Sequence, residues 1–140
     1  MPVFRRLRVA VLSTGDEIVE PGATVHAGQI FDANRPMLLS LCKGFGFEPV
    51  DMGRAPDDRD ALRAMLDQAA AQADVILTSG GASAGDEDHM SALLRESGAM
   101  QEWRIALTPG RPLALGLWAG TPVFGLPGNP VAALVCTLVF

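Results

Sequence analysis

The segment Ser79-Gly80-Gly81-Ala82-Ser83-Ala84-Gly85-Asp86-Glu87-Asp88 sets a run of small residues directly before three acids. Gly80, Gly81 and Gly85 allow positive φ and let a ligand approach the backbone closely. Successive N–H groups in such a loop form a concave nest for phosphate oxygens. A helix that follows adds the positive end of its dipole. Ser13, Thr14, Ser79 and Ser83 supply hydroxyls. A tight turn that binds nothing is the plain alternative, but such a turn needs fewer small residues and no cluster of acids. Acids in a first helical turn stabilise the dipole by about 0.3–1 kcal/mol each. Asp86, Glu87 and Asp88, beside Asp16 and Glu17, would also repel one another and any phosphate. A Mg²⁺ ion relieves that repulsion, because its sites combine one or two carboxylates with substrate phosphates and water. Asp88 is the first candidate for that ligand.

Other loops carry constrained backbone and polar groups. Asp57 and Asp58 stand before a helical pattern, and helix capping explains at least one of them. Arg111 follows Gly110 between Pro109 and Pro112. The two prolines fix the backbone, so a guanidinium there suits bidentate recognition of an oxyanion. A solvated surface arginine is the alternative. Pro127-Gly128-Asn129-Pro130 starts a helix and, taken with the other loops, forms one wall of a cleft. His89 is given no role. Cys42 and Cys136 sit in apolar helical patterns and read as buried free thiols. With His26 and His89 far apart, no zinc constellation follows.

The elements that position these loops are legible from periodicity. Leu7 to Ser13 reads as a buried parallel strand, ended by the turn Thr14-Gly15-Asp16-Glu17. Residues 20–29 read as an irregular loop. Asn34 is expected to cap a helix with Pro36 in its first turn and Leu38, Leu41, Cys42 and Phe45 on one face. Gly44 and Gly46 end it. Glu48 to Met52 is a second strand. Asp57 is expected to cap the next helix, with Asp60 three residues on and a stripe of Leu62, Met65, Leu66 and Ala69.

Asp74 to Thr78 lacks polar alternation, which predicts a central strand buried on both faces. Met90, Leu93 and Leu94 mark a short helix ended by Gly98. Gln101 to Ala106 is a fourth strand. Leu113 to Leu117 and Pro122 to Phe124 form a hairpin around Trp118-Ala119-Gly120-Thr121. Asn129 as N-cap and Pro130 at the first helical position open the last helix, with Val131, Leu134, Val135 and Leu138 as its apolar face.

The order β-α-β-α-β-α-β-β-β-α predicts an α/β three-layer sandwich. Its sheet is mostly parallel with one C-terminal hairpin, and helices cover both faces. Ligands bind such sheets outside the carboxyl ends of the strands. The loops Ser13–Glu17, Asp57–Asp58, Gly80–Asp88 and Pro127–Pro130, joined by Pro109–Pro112, are therefore expected to meet there.

The 140 residues suit a single domain, residues 1–140. Apolar residues make up 49%, enough for a core, and charged residues 19%, too few for a disordered chain. A net charge of −5 argues against nucleic-acid binding, so local backbone N–H groups must hold any anionic ligand. The basic start is too short and polar for a signal peptide, and no apolar run reaches the roughly 18 residues of a membrane span. The expectation is a soluble cytoplasmic protein without a membrane partner. The apolar run up to Phe140 ends mid-pattern, which reads as a fragment of a longer multidomain protein.

Six segments, in this order, resemble those of the molybdopterin molybdenumtransferases, the family of the gephyrin E region and its bacterial counterparts. They are Leu12-Ser13-Thr14-Gly15-Asp16-Glu17, Ile30-Phe31-Asp32-Ala33-Asn34-Arg35, Asp57-Asp58, the Ser79–Asp88 loop, Pro109-Gly110-Arg111-Pro112 and Gly125-Leu126-Pro127-Gly128-Asn129-Pro130. The resemblance implies a molybdopterin-binding α/β domain. In that family it binds adenylylated molybdopterin with Mg²⁺ and molybdate, inserts molybdenum into the dithiolene and releases AMP.

The family's functional residues map onto Glu17, Asp57, Asp58, Asp88, Pro127 and Pro130. Of these, the four acids are the expected catalytic set, and Glu17 and Asp88 the expected groups for the metal or for placing molybdate. Arg111 stands where the family carries Lys or Arg. The substrate, a phosphorylated pterin, is expected on Ser13, Thr14, Gly15, Asn34, Ser79, Gly80, Gly81, Ser83, Gly85, Pro109, Gly110, Arg111, Pro127, Gly128, Asn129 and Pro130.

Two departures stand out. Family members are much longer and act as homodimers, and the aliphatic residues usual in the glycine loop are Ala82 and Ala84 here. A related domain occurs in the molybdopterin adenylyltransferases, whose loop has a Gly-Gly-Thr-Gly core with an Arg-Asp pair soon after. Gly80-Gly81-Ala82-Ser83 does not match it, which favours the transferase over the adenylyltransferase. A noncatalytic pterin-binding module is the third reading.

Overall fold

The structure is a computed structural model that describes residues 1, 3–80, 89–97, 100–104 and 112–139, with residues 100–104 and 112 described through their backbone alone. The elements are β1 (Arg8–Thr14), β2 (Ile18–Val19), β3 (Ile30–Phe31), α1 (Asn34–Gly44), β4 (Glu48–Ala55), α2 (Arg59–Gln72), β5 (Val75–Ser79), α3 (His89–Glu96), β6 (Met100–Arg104), β7 (Pro112–Trp118), β8 (Thr121–Leu126) and α4 (Pro130–Val139). A six-stranded sheet runs β4-β1-β5-β8-β7-β6. β4, β1, β5 and β8 are parallel, and β7 is antiparallel to both β8 and β6. The expected mostly parallel sheet with a C-terminal hairpin is present.

The apolar run of β1 explains its central place. Ala10 and Leu12 face one core with Leu62, Leu66 and Ala69 of α2 and Met90, Leu93 and Leu94 of α3. Val9 and Val11 face a second core with Leu38 and Cys42 of α1 and Ala133 and Cys136 of α4. Two helical layers thus sandwich the sheet, and a strand with no polar side is the one that fits between them. Both cysteines are free, and burial raises their thiol pKa values. At the hairpin turn Ala119 and Gly120 have φ of 48° and 79°. Positive φ at both central residues marks a type I′ turn, whose twist matches the flanking strands.

Four details differ from the periodic reading. The chain on either side of residues 20–29 pairs as a small parallel ribbon, β2 with β3. Two-residue strands are too short for alternation to reveal. Asn34 does not cap α1, since the N-cap is Ala33 with no side-chain bond, and Phe45 lies past the helix end, exposed. Asp58, not Asp57, caps α2, its Oδ1 accepting from the Ala61 N–H at 2.7 Å.

The fourth difference is the face of α4. Ala132, Ala133 and Cys136 are buried, while Val131, Leu138 and Val139 are exposed. An almost wholly apolar helix gives periodicity no face to choose, and the small side chains let α4 sit close on the sheet. Its start agrees with expectation, as Asn129 Oδ1 accepts from the N–H groups of Val131 at 2.9 Å and Ala132 at 3.2 Å.

Candidate functional site

The strand register puts the candidate loops on one edge. Thr14 pairs with Ala55, Ser13 with Ser79, and Ser79 with Leu126. The carboxyl ends of β4, β1, β5 and β8 are therefore level. The loops beginning at Gly15, Pro56, Gly80 and Pro127 leave from the same edge, and β7 enters the sheet there at Pro112.

Gly80 is held against the end of β1. Its φ is +94°, and a β-carbon on it would lie 2.1 Å from the Thr14 carbonyl oxygen. Gly128 approaches from the other side, its own β-carbon position 3.9 Å from the Gly80 Cα. Asn34 joins the two loops from below. Its Nδ2 donates to Ser79 Oγ at 2.6 Å and to the Gly128 carbonyl at 2.8 Å. Because a carbonyl only accepts, the Gly128 contact fixes which end of the amide is nitrogen. That inward pull explains why Asn34 leaves the α1 terminus uncapped. Asn34 Oδ1 and Thr14 Oγ1 are buried without a hydrogen-bond partner among the described residues. Buried polar atoms are nearly always paired in proteins, so these two call for a partner from outside the described residues, a ligand or a water.

Around this junction lies a cavity of about 240 Å³, lined by Ser13, Glu17, Ile18, Ile30, Phe31, Asp32, Ala33, Asn34, Ser79, Gly80, Gly128 and Pro130. Glu17 is exposed. Its carboxylate folds back over Gly15, where a β-carbon would meet Glu17 Oε2 at 2.6 Å and φ is +126°. Arg54 of β4 braces this turn through the Gly15 carbonyl at 3.2 Å. Pro127 is buried behind the wall, and Asn129 and Pro130 are exposed on it.

At the floor of the cavity is a charged cluster in which sequence reasoning gave a role to Ser13 alone and none to Asp32, Arg35, Asp51 or Glu20. Ser13 Oγ donates to Asp32 Oδ2 at 2.5 Å, so its proton is committed. Arg35, 6% exposed, donates from its backbone N–H to Asp32 Oδ1 and from Nε to Asp32 Oδ2, both at 3.1 Å. Its Nη1 donates to Asp51 of β4 at 2.6 Å, and its Nη2 pairs with Glu20. Burial works against the Arg35 charge, but the bonds to Asp51 and Asp32 outweigh it and the pKa is raised. The cluster ties β1, the ribbon, α1 and β4 together under the site. An acid and an arginine at i, i+3 beside the expected helix start were the available signal.

Asp57, released from capping, lies 3.2 Å from Nε2 of His89, the first residue of α3. The contact links the β4–α2 loop to the chain directly after the glycine loop. The structure thus gathers Ser13, Thr14, Gly15, Glu17, Asn34, Ser79, Gly80, Pro127, Gly128, Asn129 and Pro130 along one stretch of edge, with Asp57 and Asp58 at the next loop. Gly81, Ser83, Gly85, Asp88, Pro109, Gly110 and Arg111 lie outside the described residues. Among the described residues no group of three or more His, Cys, Asp or Glu side chains gathers as a metal centre, and no helix is long and apolar enough to cross a membrane.

Comparison with known proteins agrees with this arrangement. The family model described as "Probable molybdopterin binding domain" matches residues 10–140. The molybdopterin molybdenumtransferase of Haemophilus influenzae is 43% identical over 132 residues, covering 94% of this chain and 33% of the relative. That of a Nostoc species is 41% identical, covering 95% and 31%. The crystal structure of a molybdopterin biosynthesis moeA protein from Pyrococcus horikoshii superposes with a TM-score of 0.85 at 40% identity, covering 98% of this chain and 34% of that one. The chain spans about a third of the length of these relatives. With the family model matching all but the first nine residues, the site described above included, the chain belongs to the molybdopterin-binding domain family.

Proposed function

We propose that this chain is the molybdopterin-binding domain of a molybdenum cofactor biosynthesis enzyme. In this reading the enzyme binds adenylylated molybdopterin, inserts molybdenum from molybdate into the dithiolene and releases AMP. The observation that carries it is the junction of the Thr14-Gly15, Ser79-Gly80 and Gly128 loops through Asn34, at the level carboxyl edge of four parallel strands. That edge is where sheets of this kind bind ligands.

The chain's own residues bind and orient. The turn after β1 holds Glu17 over Gly15, and Gly80 brings the glycine loop against β1. The described side-chain metal donors of the lining are oxygens: the Glu17 and Asp32 carboxylates, the Ser13 and Ser79 hydroxyls and Asn34 Oδ1. A set of this hardness fits Mg²⁺, which needs one or two carboxylates beside phosphate and water. Glu17 and Asp88 would hold it, and when bound it screens the phosphate charge and polarises the leaving group. In this reading the full-length protein is cytoplasmic and acts as a homodimer, the dimer being what the family resemblance implies.

The test uses the full-length protein. Mixed with adenylylated molybdopterin, Mg²⁺ and molybdate, it releases AMP and yields a cofactor that activates an apo-molybdoenzyme. Absence of AMP release from that mixture would falsify the reading. ATP consumption with unmodified molybdopterin would point to an adenylyltransferase instead. Activity untouched by Asp88→Ala would leave only a noncatalytic binding module.

A further inference from the structure

The β2–β3 ribbon forms one wall of the cavity, to which Glu17, Ile18, Ile30 and Phe31 belong. It has little to hold it in shape by itself. The Ile30 N–H donates to the Glu17 carbonyl and the Asp32 N–H to the Val19 carbonyl, both at 2.8 Å. A two-stranded ribbon alone is marginal at best in water, so the body of the domain must keep it in place.

Among the described residues two arginines reach the ribbon. Arg54 braces its neck through the Gly15 carbonyl at 3.2 Å, and its second partner, the exposed Asp16, is 4.0 Å away. Arg35 grips it further out, with Nη2 on Glu20. The Arg35 side chain is 8% exposed and is itself fixed by its other donors. Its Nε lies on Asp32, which Ser13 of β1 anchors, and its Nη1 lies on Asp51 of β4.

Asp51 is fixed by an irregularity in β4. The pairing with β1 shifts register between Val11 and Leu12, Gly53 has φ +78°, and the Gly53 N–H donates to Asp51 Oδ1 at 2.9 Å. A rigid fork of donors set on two fixed carboxylates can place a third, which a single ammonium cannot do. That third is Glu20. Its side chain is 56% exposed, so the pair adds little to global stability. Its effect is on geometry. Glu20 follows Val19, and the pairs Ile18–Ile30 and Val19–Phe31 carry its position to both strands.

We propose that Arg35 is a positioning residue: through Glu20 it holds the β2–β3 ribbon against the cavity, so that the ligand meets a preformed wall. The proposal rests on the pterin reading above. Arg35 acts through the ribbon and not on the ligand.

The test uses the full-length protein and two variants at the exposed end of the grip. Glu20→Ala removes the acceptor for Nη2, whereas Glu20→Gln keeps one. Both remove the same negative charge. Amide hydrogen exchange over residues 17–32 should be at least about fivefold faster in Glu20→Ala, with the rest of the chain and the urea midpoint unchanged. Affinity for adenylylated molybdopterin, measured by calorimetry with Mg²⁺, should fall about tenfold, the scale of a displaced binding wall. Glu20→Gln should stay within about threefold of the parent, because the hydrogen bond survives without its charge.

The direction of the change is itself diagnostic. Loss of a carboxylate near an anionic ligand strengthens binding if charge alone matters, and then both variants bind more tightly than the parent. That result, or an unchanged affinity in Glu20→Ala, overturns the positioning role and leaves the pterin reading standing. Exchange in the ribbon no faster in Glu20→Ala overturns the grip whatever the ligand. Failure of the parent itself to bind adenylylated molybdopterin overturns the pterin reading and the positioning role with it.

Discussion

At Gly80 the backbone has φ +94°, and the space for a β-carbon is filled by the Thr14 carbonyl. An L side chain there costs about 1–2 kcal/mol in backbone conformation alone, before the clash is counted. Gly80→Ala is expected to lose at least about 2 kcal/mol in urea unfolding. Gly128→Ala, with ordinary contact distance and φ outside the positive region, is expected to stay within about 0.5 kcal/mol. Equal losses at the two positions would contradict the account of the junction. The need for glycine at Gly80 was readable in the sequence, because a strand followed by small residues demands a sharp turn.

Of the Arg35 cluster only the local Asp32–Arg35 spacing was readable, because Ser13, Asp51 and Glu20 join it only in the fold. Arg35→Leu strands the Asp32 carboxylate, itself 3% exposed, and should cost about 3–5 kcal/mol. Combining it with Asp32→Leu removes the stranded charge, so the double variant should recover part of the loss. A double variant as unstable as the two single losses summed would show that the charge is not the cause.

Elements show the same division between local and tertiary information. Asn34 stands two residues before Pro36 and Asn129 directly before Pro130, both at a helix start, yet only Asn129 caps its helix. The Gly128 carbonyl, distant in sequence, holds the Asn34 side chain, a contact that no local pattern shows. The same holds for Asp57 and Asp58, whose roles are sorted by His89.

An element-level contact also sets a pH dependence. Asp74, just before β5, accepts from Arg5 Nη1 and from the Arg8 backbone N–H, both at 2.8 Å. The Arg5 side-chain bond, followed by the Arg8 bond, lowers the Asp74 pKa below its ordinary 3.8. A carboxylate with a depressed folded pKa adds stability that is present above the unfolded value and is lost as pH falls through the folded one. Asp74→Asn should therefore be less stable than the parent at pH 7, and the gap should close as pH falls below about 4. Chemical unfolding at several pH values checks this. A gap that persists unchanged at pH 2.5 would sink the assignment.

At the scale of the whole molecule, the topology was legible for a physical reason. Strands buried on both faces lose their alternation, and β1 and β5 announce an interior place by the unbroken apolar runs Val9–Leu12 and Val75–Leu77. The ribbon β2–β3 was not, although it supplies Ile18, Ile30 and Phe31 to the cavity. Net charge acts at this scale too. With 16 acidic and 11 basic side chains, the chain's overall field repels an anionic ligand. Under the proposed function, local backbone N–H groups and Mg²⁺ would hold the phosphorylated pterin against that field.

Salt should have the opposite effect to the one seen with a basic protein. Screening weakens the repulsion, since charges about 10 Å apart are largely screened near 0.1 M. At saturating Mg²⁺, affinity for adenylylated molybdopterin should hold or rise as NaCl increases from about 20 to about 200 mM. Chelating the metal with EDTA should weaken binding about tenfold or more, because phosphate then meets bare carboxylate. A tenfold fall in affinity across the salt range would mean that a cluster of side-chain cations holds the phosphate, and the backbone-and-metal account would have to be abandoned.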